Sequence, residues 1–504
     1  MQFHSGICEL NRLLLVPLTA IKLTQKTGFH HTKVTLAKIH AIAEEKLLEN
    51  RDIIDASQDV KQGKKALRIS CKRTQFNQHV GQTYGKFDDI PLASKGWNHR
   101  KSKGDSFIIH GYKDNPAIAS SSEPSKNFSE IGVDDRLVTI LDKQNITNPT
   151  VIQVKGIPAI LKGYNTLLNA ETGSGKTLTY LLPMIQQIIS WQMMFKNRKM
   201  NNPLGLVVSP NRELVNQIGE VAMQFTRELM INTEVLTGGH TKRMIMNPEY
   251  NDVDLLVASL GSLSKLTTTG IYSMRHVYHV VLDEADTLLD DSFNEKLTHF
   301  LKRFPPTSLK QVATNHVHRL MPHVPQTFYR LGNSEKPGQL LATVKRNVAK
   351  KHPTMIFSNK SSTCDWISMF LNENNVPCVN LNGKMLLDIR TGKLDAFQSG
   401  KVDVISCTDI GSRGINTTRV KHVINYDFPL YTADYIHRCG RTGRVGSTEG
   451  SCVSNFISTS REVEIVQKIE AAARRSEALP NVNANITRTI KQKIMKNMEK
   501  GSLK

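Results

Sequence analysis

From Phe128 onward, short apolar runs alternate with amphipathic stretches, whereas the preceding residues, Arg51 to about Lys126, are mostly polar and basic. The runs Leu167 to Asn169, Leu206 to Ser209, Leu255 to Ser259, Val277 to Leu282, Thr354 to Phe357, Val402 to Cys407 and Val423 to Tyr426 predict strands. Helical spacing fills the intervals, as in Thr177 to Met194, where Leu178, Leu181, Leu182, Ile185, Ile188 and Ile189 share a face. Strands alternating with helices predict parallel sheets covered on both faces. The series breaks around Pro305 to Pro325 and restarts, which predicts two α/β lobes, 128–318 and 319–475. A basic extension, 1–127, precedes them and a basic tail, 476–504, follows. The stretches SKGWNHRKSKGD (Ser94 to Asp105) and SSSEPS (Ser120 to Ser125) mark the extension as a weakly ordered, RNA-facing linker.

The chain has 504 residues, enough for two to four domains with cores of their own. Composition, 39% hydrophobic and 22% charged, excludes a disordered or fibrous protein. Lys plus Arg exceed Asp plus Glu by 66 to 45, a net charge of +21, which favours phosphate backbones as partners. The seven cysteines are scattered without a C-x-x-C pair, as suits a reducing compartment. No apolar run reaches the roughly 18 residues a membrane span needs. Between Met1 and Ala43, Glu9 is the single acid against Arg12, Lys22, Lys26, Lys33 and Lys38, the charge balance of a mitochondrial presequence, with an ordinary basic tail as the alternative.

The chemistry starts where the run Leu167 to Asn169 leads into AETGSGKT (Ala170 to Thr177) and then a helix. Gly173, Ser174 and Gly175 are small enough for backbone N–H groups to close around a phosphate at the positive end of the helix dipole, with Ala170 and Thr172 completing the loop. Lys176 then reaches the β and γ phosphates of a nucleotide, and the Thr177 hydroxyl suits Mg²⁺. VVLDEAD (Val280 to Asp286) supplies acids after a buried run: Asp283 to hold hydrated Mg²⁺, Glu284 to orient and deprotonate water.

Together AETGSGKT and DEAD resemble the DEAD-box RNA helicases, ATPases with two RecA-like lobes. The resemblance implies tandem RecA-like parallel-sheet domains, ATP and Mg²⁺, and RNA as substrate. NPTVIQ (Asn148 to Gln153), with Phe128 before it, is similar to the family's adenine-sensing motif. A carboxamide at Gln153 both accepts from N6 and donates to N7 of adenine, so ATP is expected over GTP. CTDIGSRGIN (Cys407 to Asn416) and YIHRCGRTGR (Tyr435 to Arg444) resemble the second-lobe motifs, which implies that Arg441 and Arg444 are arginine fingers on the γ-phosphate. RNA-backbone contact is implied for Arg212 in SPNREL, Gly238 and Gly239 in TGG, Arg390, and Thr408 with Arg413.

Several positions depart from the family pattern. SLGS (Ser259 to Ser262) stands where TPGR is usual, Asn211 where Thr is, Leu387 where Gln is and Asn416 where Asp is, which weakens the expected grip on RNA. Only 39 positions separate Asp283 from Pro322, too few for the family's helices and strands there, and VAT (Val312 to Thr314) is the nearest match to its SAT strand. A segment is therefore expected to be absent from the first lobe, with coupling of hydrolysis to unwinding in doubt. KGWNHRKSKGDSFIIH, LMPHVPQTFYRL and IVQKIEAAARR resemble a mitochondrial branch of the family linked to large ribosomal subunit assembly. That resemblance implies action on mitochondrial rRNA and ribosome assembly intermediates; the chain is expected to be a monomer in the mitochondrial matrix, with the nucleus or nucleolus as alternative. Competing expectations are a catalytically impaired RNA-binding scaffold and, from the same motifs, a DNA helicase.

Overall fold

The computed structural model describes residues 67–480 and 482, apart from 86, 113, 114, 116, 118–125, 196, 197, 240, 289–296, 298, 299, 301–309, 315–318, 413–418 and 447–449. The presequence region, SSSEPS, Arg413, Asn416 and nearly all of the basic tail lie outside the described residues.

The strands are β1 (Ile69–Cys71), β2 (Ser106–Ile109), β3 (Thr166–Asn169), β4 (Gly205–Ser209), β5 (Thr233–Leu236), β6 (Leu255–Ser259), β7 (His279–Leu282), β8 (Lys310–Ala313), β9 (Gln326–Arg330), β10 (Thr354–Phe357), β11 (Cys378–Leu381), β12 (Val404–Cys407), β13 (His422–Asn425) and β14 (Cys452–Ile457). In the first lobe β5-β6-β4-β7 form one parallel sheet and β3-β8 a separate parallel pair. β4 and β6 are buried at every residue, as continuous apolar runs with helices on both faces must be.

Val312 and Ala313 of VAT lie in a strand, β8, on the phosphate-loop strand, and Thr314, just past its end, donates its N–H to Asn169 O at 3.0 Å. Among the described residues, however, β8 forms no ladder with β7, and β3 pairs with nothing on its other side. All four residues of β3 are therefore only half-buried.

The second lobe is a continuous eight-stranded sheet, β1-β2-β9-β14-β13-β10-β12-β11, parallel from β9 onward. Its first two strands come from the N-terminal extension, and β2 pairs antiparallel with β9. The expectation of weak order is thus corrected for residues 67–112. Trp97 is fully buried against Phe107, and Phe107 stacks on Phe328 with centroids 4.6 Å apart. A polar clamp adds to this. Glu470, on the helix Ser460–Arg475, accepts from Ala93 N, Ser94 N and Ser94 Oγ at 2.8, 3.0 and 2.5 Å, while Arg474 binds both Glu470 and Phe76 O. The segment hides its few buried residues among exposed Lys and Arg, which masks them in the sequence. Among the described residues no helix is long and apolar enough to cross a membrane.

Candidate active site between the lobes

β3 ends at Asn169 and the helix Lys176–Met194 begins seven residues later, leaving a tight loop. Gly173 and Gly175 take φ of 80° and 93°, in the left-handed region that disfavours side chains. Space demands glycine as well: a Cβ on Gly173 would lie 2.6 Å from Arg444 Cγ, and one on Gly175 2.7 Å from Gln153 Nε2. Lys176 Nζ donates to Ala170 O and Glu171 O, both at 2.7 Å, and Ser174 Oγ to Glu171 O at 2.8 Å. The loop is thereby curled around its own lysine, with the first-turn N–H groups at the helix start.

Gln153 sits in the first turn of Val151–Leu161 and is buried. Its Oε1 accepts from Thr150 N at 2.8 Å and its Nε2 donates to Gly175 O at 3.2 Å, so the carboxamide braces the phosphate loop. Phe128, expected at the adenine, is corrected: it is 1% exposed in the core with Ile131, Leu137 and Leu181, and has no face left for a base.

The acids meet the loop from the end of β7. Asp283 N–H donates to Val208 O at 2.9 Å, which fixes Asp283 at the edge of the sheet. Its Oδ2 accepts from Tyr180 Oη at 3.1 Å, and the same hydroxyl is hydrogen-bonded to Thr177. Burial, then the Asp283 charge, holds the Tyr180 hydroxyl well above its ordinary value, so it stays a donor. Thr177 and Asp283 therefore converge on one point, and two hard oxygen donors beside a phosphate cradle fit Mg²⁺. Sequence reading missed Tyr180. Its signal was position, four residues after Lys176 on the same helix face. Glu284 follows with φ 49°, a non-glycine residue in the left-handed region, where strain of about 1–3 kcal/mol collects at functional sites.

The second lobe closes the other side. The helix Thr432–Cys439 ends at Gly440, whose Cα faces Thr172 of the phosphate loop. Val445 N–H then donates to Gly173 O at 3.1 Å. Arg441 Nε donates to His437 O and Arg444 Nε to Gly440 O, each bond anchoring its guanidinium to the backbone four residues earlier. Burial lowers Arg441 to about 10 and Arg444 well below its ordinary range, with Arg441's like charge adding to the latter and Glu284 opposing both. Two desolvated cations against one carboxylate make a site that favours an anion. Arg438 differs: fully buried, it is fixed by Asp409, Asp427 O and Asn359, a structural role that sequence reading did not separate from its neighbours.

Arg212 opens the helix Arg212–Thr226, capped by Asn211, whose Oδ1 accepts from Leu214 N at 2.8 Å. Its guanidinium lies on Gly238, where a Cβ would come within 2.7 Å, and Gly239 takes φ 113°. Arg390, on the helix Leu387–Gln398, forms an ion pair across the lobes with Glu213, beside Arg212. Thr408 follows β12 and donates from its N–H to Leu381 O at 3.2 Å. The Ser259 hydroxyl donates to Ser262 Oγ at 2.9 Å.

A family model of the DEAD/DEAH box helicases matches residues 150–317, and one of the helicase conserved C-terminal domain matches residues 335–446. The chain is 34% identical over 474 residues to "Probable ATP-dependent RNA helicase DDX28" of Mus musculus, covering 85% of this chain and 88% of that protein. Over 474 residues it is likewise 34% identical to the protein of the same name from Homo sapiens, covering 84% and 87%. Its fold is similar to that of S. cerevisiae Dbp5 bound to RNA and ADP BeF3, with a TM-score of 0.58 at 20% identity, over 70% of this chain and 94% of the other. Mss116p bound to ssRNA and AMP-PNP gives a TM-score of 0.57 at 19% identity, over 71% and 79%.

Proposed function

The chain belongs to the DEAD/DEAH box helicases, and from that premise we propose that it is an RNA-stimulated ATPase that closes its lobes on ATP and one RNA strand and so unpairs short duplexes. The observation carrying this reading is the seating of residues 440–445 on the phosphate loop, with Arg441 and Arg444 beside Glu284. In this reading the loop 170–175 and Lys176 bind the phosphates, and Gln153 reports their state through Gly175 O. Thr177 and Asp283 would hold Mg²⁺, which neutralises phosphate charge when bound. Glu284 orients and deprotonates water, and the two arginines stabilise charge developing on the transferred phosphoryl group. Arg212, Gly238, Gly239, Arg390, Thr408 and Arg413 contact the RNA backbone without reading bases, which makes binding largely independent of sequence.

The presequence-like charge balance supports residence in the mitochondrial matrix, and the resemblance of KGWNHRKSKGDSFIIH, LMPHVPQTFYRL and IVQKIEAAARR to a mitochondrial branch of the family supports a role on mitochondrial rRNA during large-subunit assembly. A tagged chain with and without residues 1–43 checks this; nucleolar signal from the full chain would overturn it.

The break between β7 and β8 favours a second reading, an RNA-binding scaffold with impaired turnover. RNA-stimulated ATPase measured beside RNA binding at several salt concentrations separates the two. Stimulated turnover supports the helicase; tight, salt-sensitive binding without it supports the scaffold.

A further inference from the structure

We propose that His323 is a positioning residue for the arginine loop, a role that rests on the ATPase reading above. It lies in MPHV, part of the stretch Leu320 to Leu331 that the site chemistry leaves unused. Its Nε2 is 2.7 Å from Gly443 O, between Arg441 and Arg444. A carbonyl can only accept, so Nε2 carries the proton and His323 donates.

Gly443 is an unusual point in that loop. Its φ of 64° is left-handed, and a Cβ there would meet Val324 and come within 3.0 Å of His323 Nε2. The polar backbone groups of this residue are held by side chains from two directions: Gly443 N–H donates to Ser451 Oγ at 3.1 Å, and Gly443 O accepts from His323. The plane of that peptide sets where the chain leaves for Arg444. Rotating it would swing Arg444 off Gly440 O and pull Val445 N–H from Gly173 O.

His323 is itself propped from behind by the N-terminal extension. A Cβ on Gly111 would lie 2.6 Å from the backbone C and O of His323, and Tyr112 N–H donates to Pro322 O at 2.5 Å. Extension, connector, arginine loop and phosphate loop thus stack in order, each in contact with the next.

The test uses the full chain with His323→Ala and His323→Gln, the amide of Gln offering a donor at similar reach. RNA-stimulated ATP turnover, KM for ATP, thermal unfolding, and binding of ADP with and without aluminium fluoride are measured. Loss of one orienting hydrogen bond predicts a kcat lower by roughly 3- to 10-fold in the Ala variant, with KM within about twofold and most of the rate recovered in the Gln variant. Affinity for ADP with aluminium fluoride, which imitates the transferred phosphoryl group, falls by a similar factor while affinity for ADP alone holds. A parent with no turnover would sink the ATPase reading and this role together. An active parent matched in kcat by His323→Ala overturns the positioning role alone. Equal losses in both variants that track a lowered unfolding temperature do the same, by assigning His323 to packing.

Discussion

Gly440→Ala isolates the contact between the lobes from the folding of either. Gly440 has φ −66° and ψ 4°, a conformation alanine adopts without strain, and within the second lobe the new Cβ meets only Ile436 O, at 3.2 Å, a few tenths of an ångström of adjustment. Across the cleft, however, the new methyl would sit 2.7 Å from Thr172 Cβ and overlap Thr172 Oγ1. Carbon atoms rest about 3.5–4.0 Å apart, so the lobes or their loops must yield by about 1 Å. Overpacking of this size costs about 1–3 kcal/mol, and at 1.4 kcal/mol per tenfold the closed state is depleted about 5- to 150-fold. RNA-stimulated kcat is expected to fall within that range, with closure, read by fluorescence energy transfer between labels on the two lobes, falling in step. Thermal unfolding should not move. Parent-like turnover and parent-like closure in Gly440→Ala would refute the seating of the arginine loop on the phosphate loop.

Lys176→Ala is expected to abolish ATP turnover while leaving RNA binding without nucleotide intact; a steady-state ATPase assay decides it. Glu470→Ala strips a fully buried carboxylate from Arg474 and orphans the N–H groups of Ala93 and Ser94. Breaking such a pair costs about 3–5 kcal/mol, measurable by urea unfolding, and a loss below about 1 kcal/mol would contradict docking of the extension. Burial lowers His279 and His422 to about 4. His422 is kept neutral between Asn347, which donates to its Nδ1, and Ser454, which accepts from its Nε2. The unfolded chain binds more protons between pH 6.5 and 4, so stability is full above 6.5 and declines as pH falls toward 4. About 2 kcal/mol per histidine should be gone by pH 5, and a denaturation midpoint unchanged from pH 7.5 to 5 would exclude it.

Buried parallel strands that are unbroken apolar runs were legible in the sequence, Leu255 to Ser259 and Thr354 to Phe357 matching the observed limits, whereas β14, buried but carrying Ser454 and Asn455, was not. Where half of a strand faces polar surroundings the signal fades, which is why β5, with its TEVL, and the three-residue β1 escaped notice. The phosphate loop and acids were legible from local spacing, since each motif is continuous in the chain. Tyr180, Glu213 and His323 were not, because their meaning comes from partners 103, 177 and 120 residues away. Phe128 misled for the converse reason. An aromatic upstream of a nucleotide motif reads the same whether it stacks on a base or fills the core, and only burial tells the two apart.

The clamp of Ser94 on Glu470 joins residues 376 positions apart. Ribosomes add about 5–20 residues per second, so the extension emerges some tens of seconds before its binding partner exists. During that wait Trp97 and Phe107 have no core to enter, and β2 is an open sheet edge of the kind that recruits other chains. Nascent copies of this protein should therefore lean on a holdase more than the rapid folding of either α/β body alone would require, and a chain shortened ahead of residue 460 should aggregate through the segment 67–112.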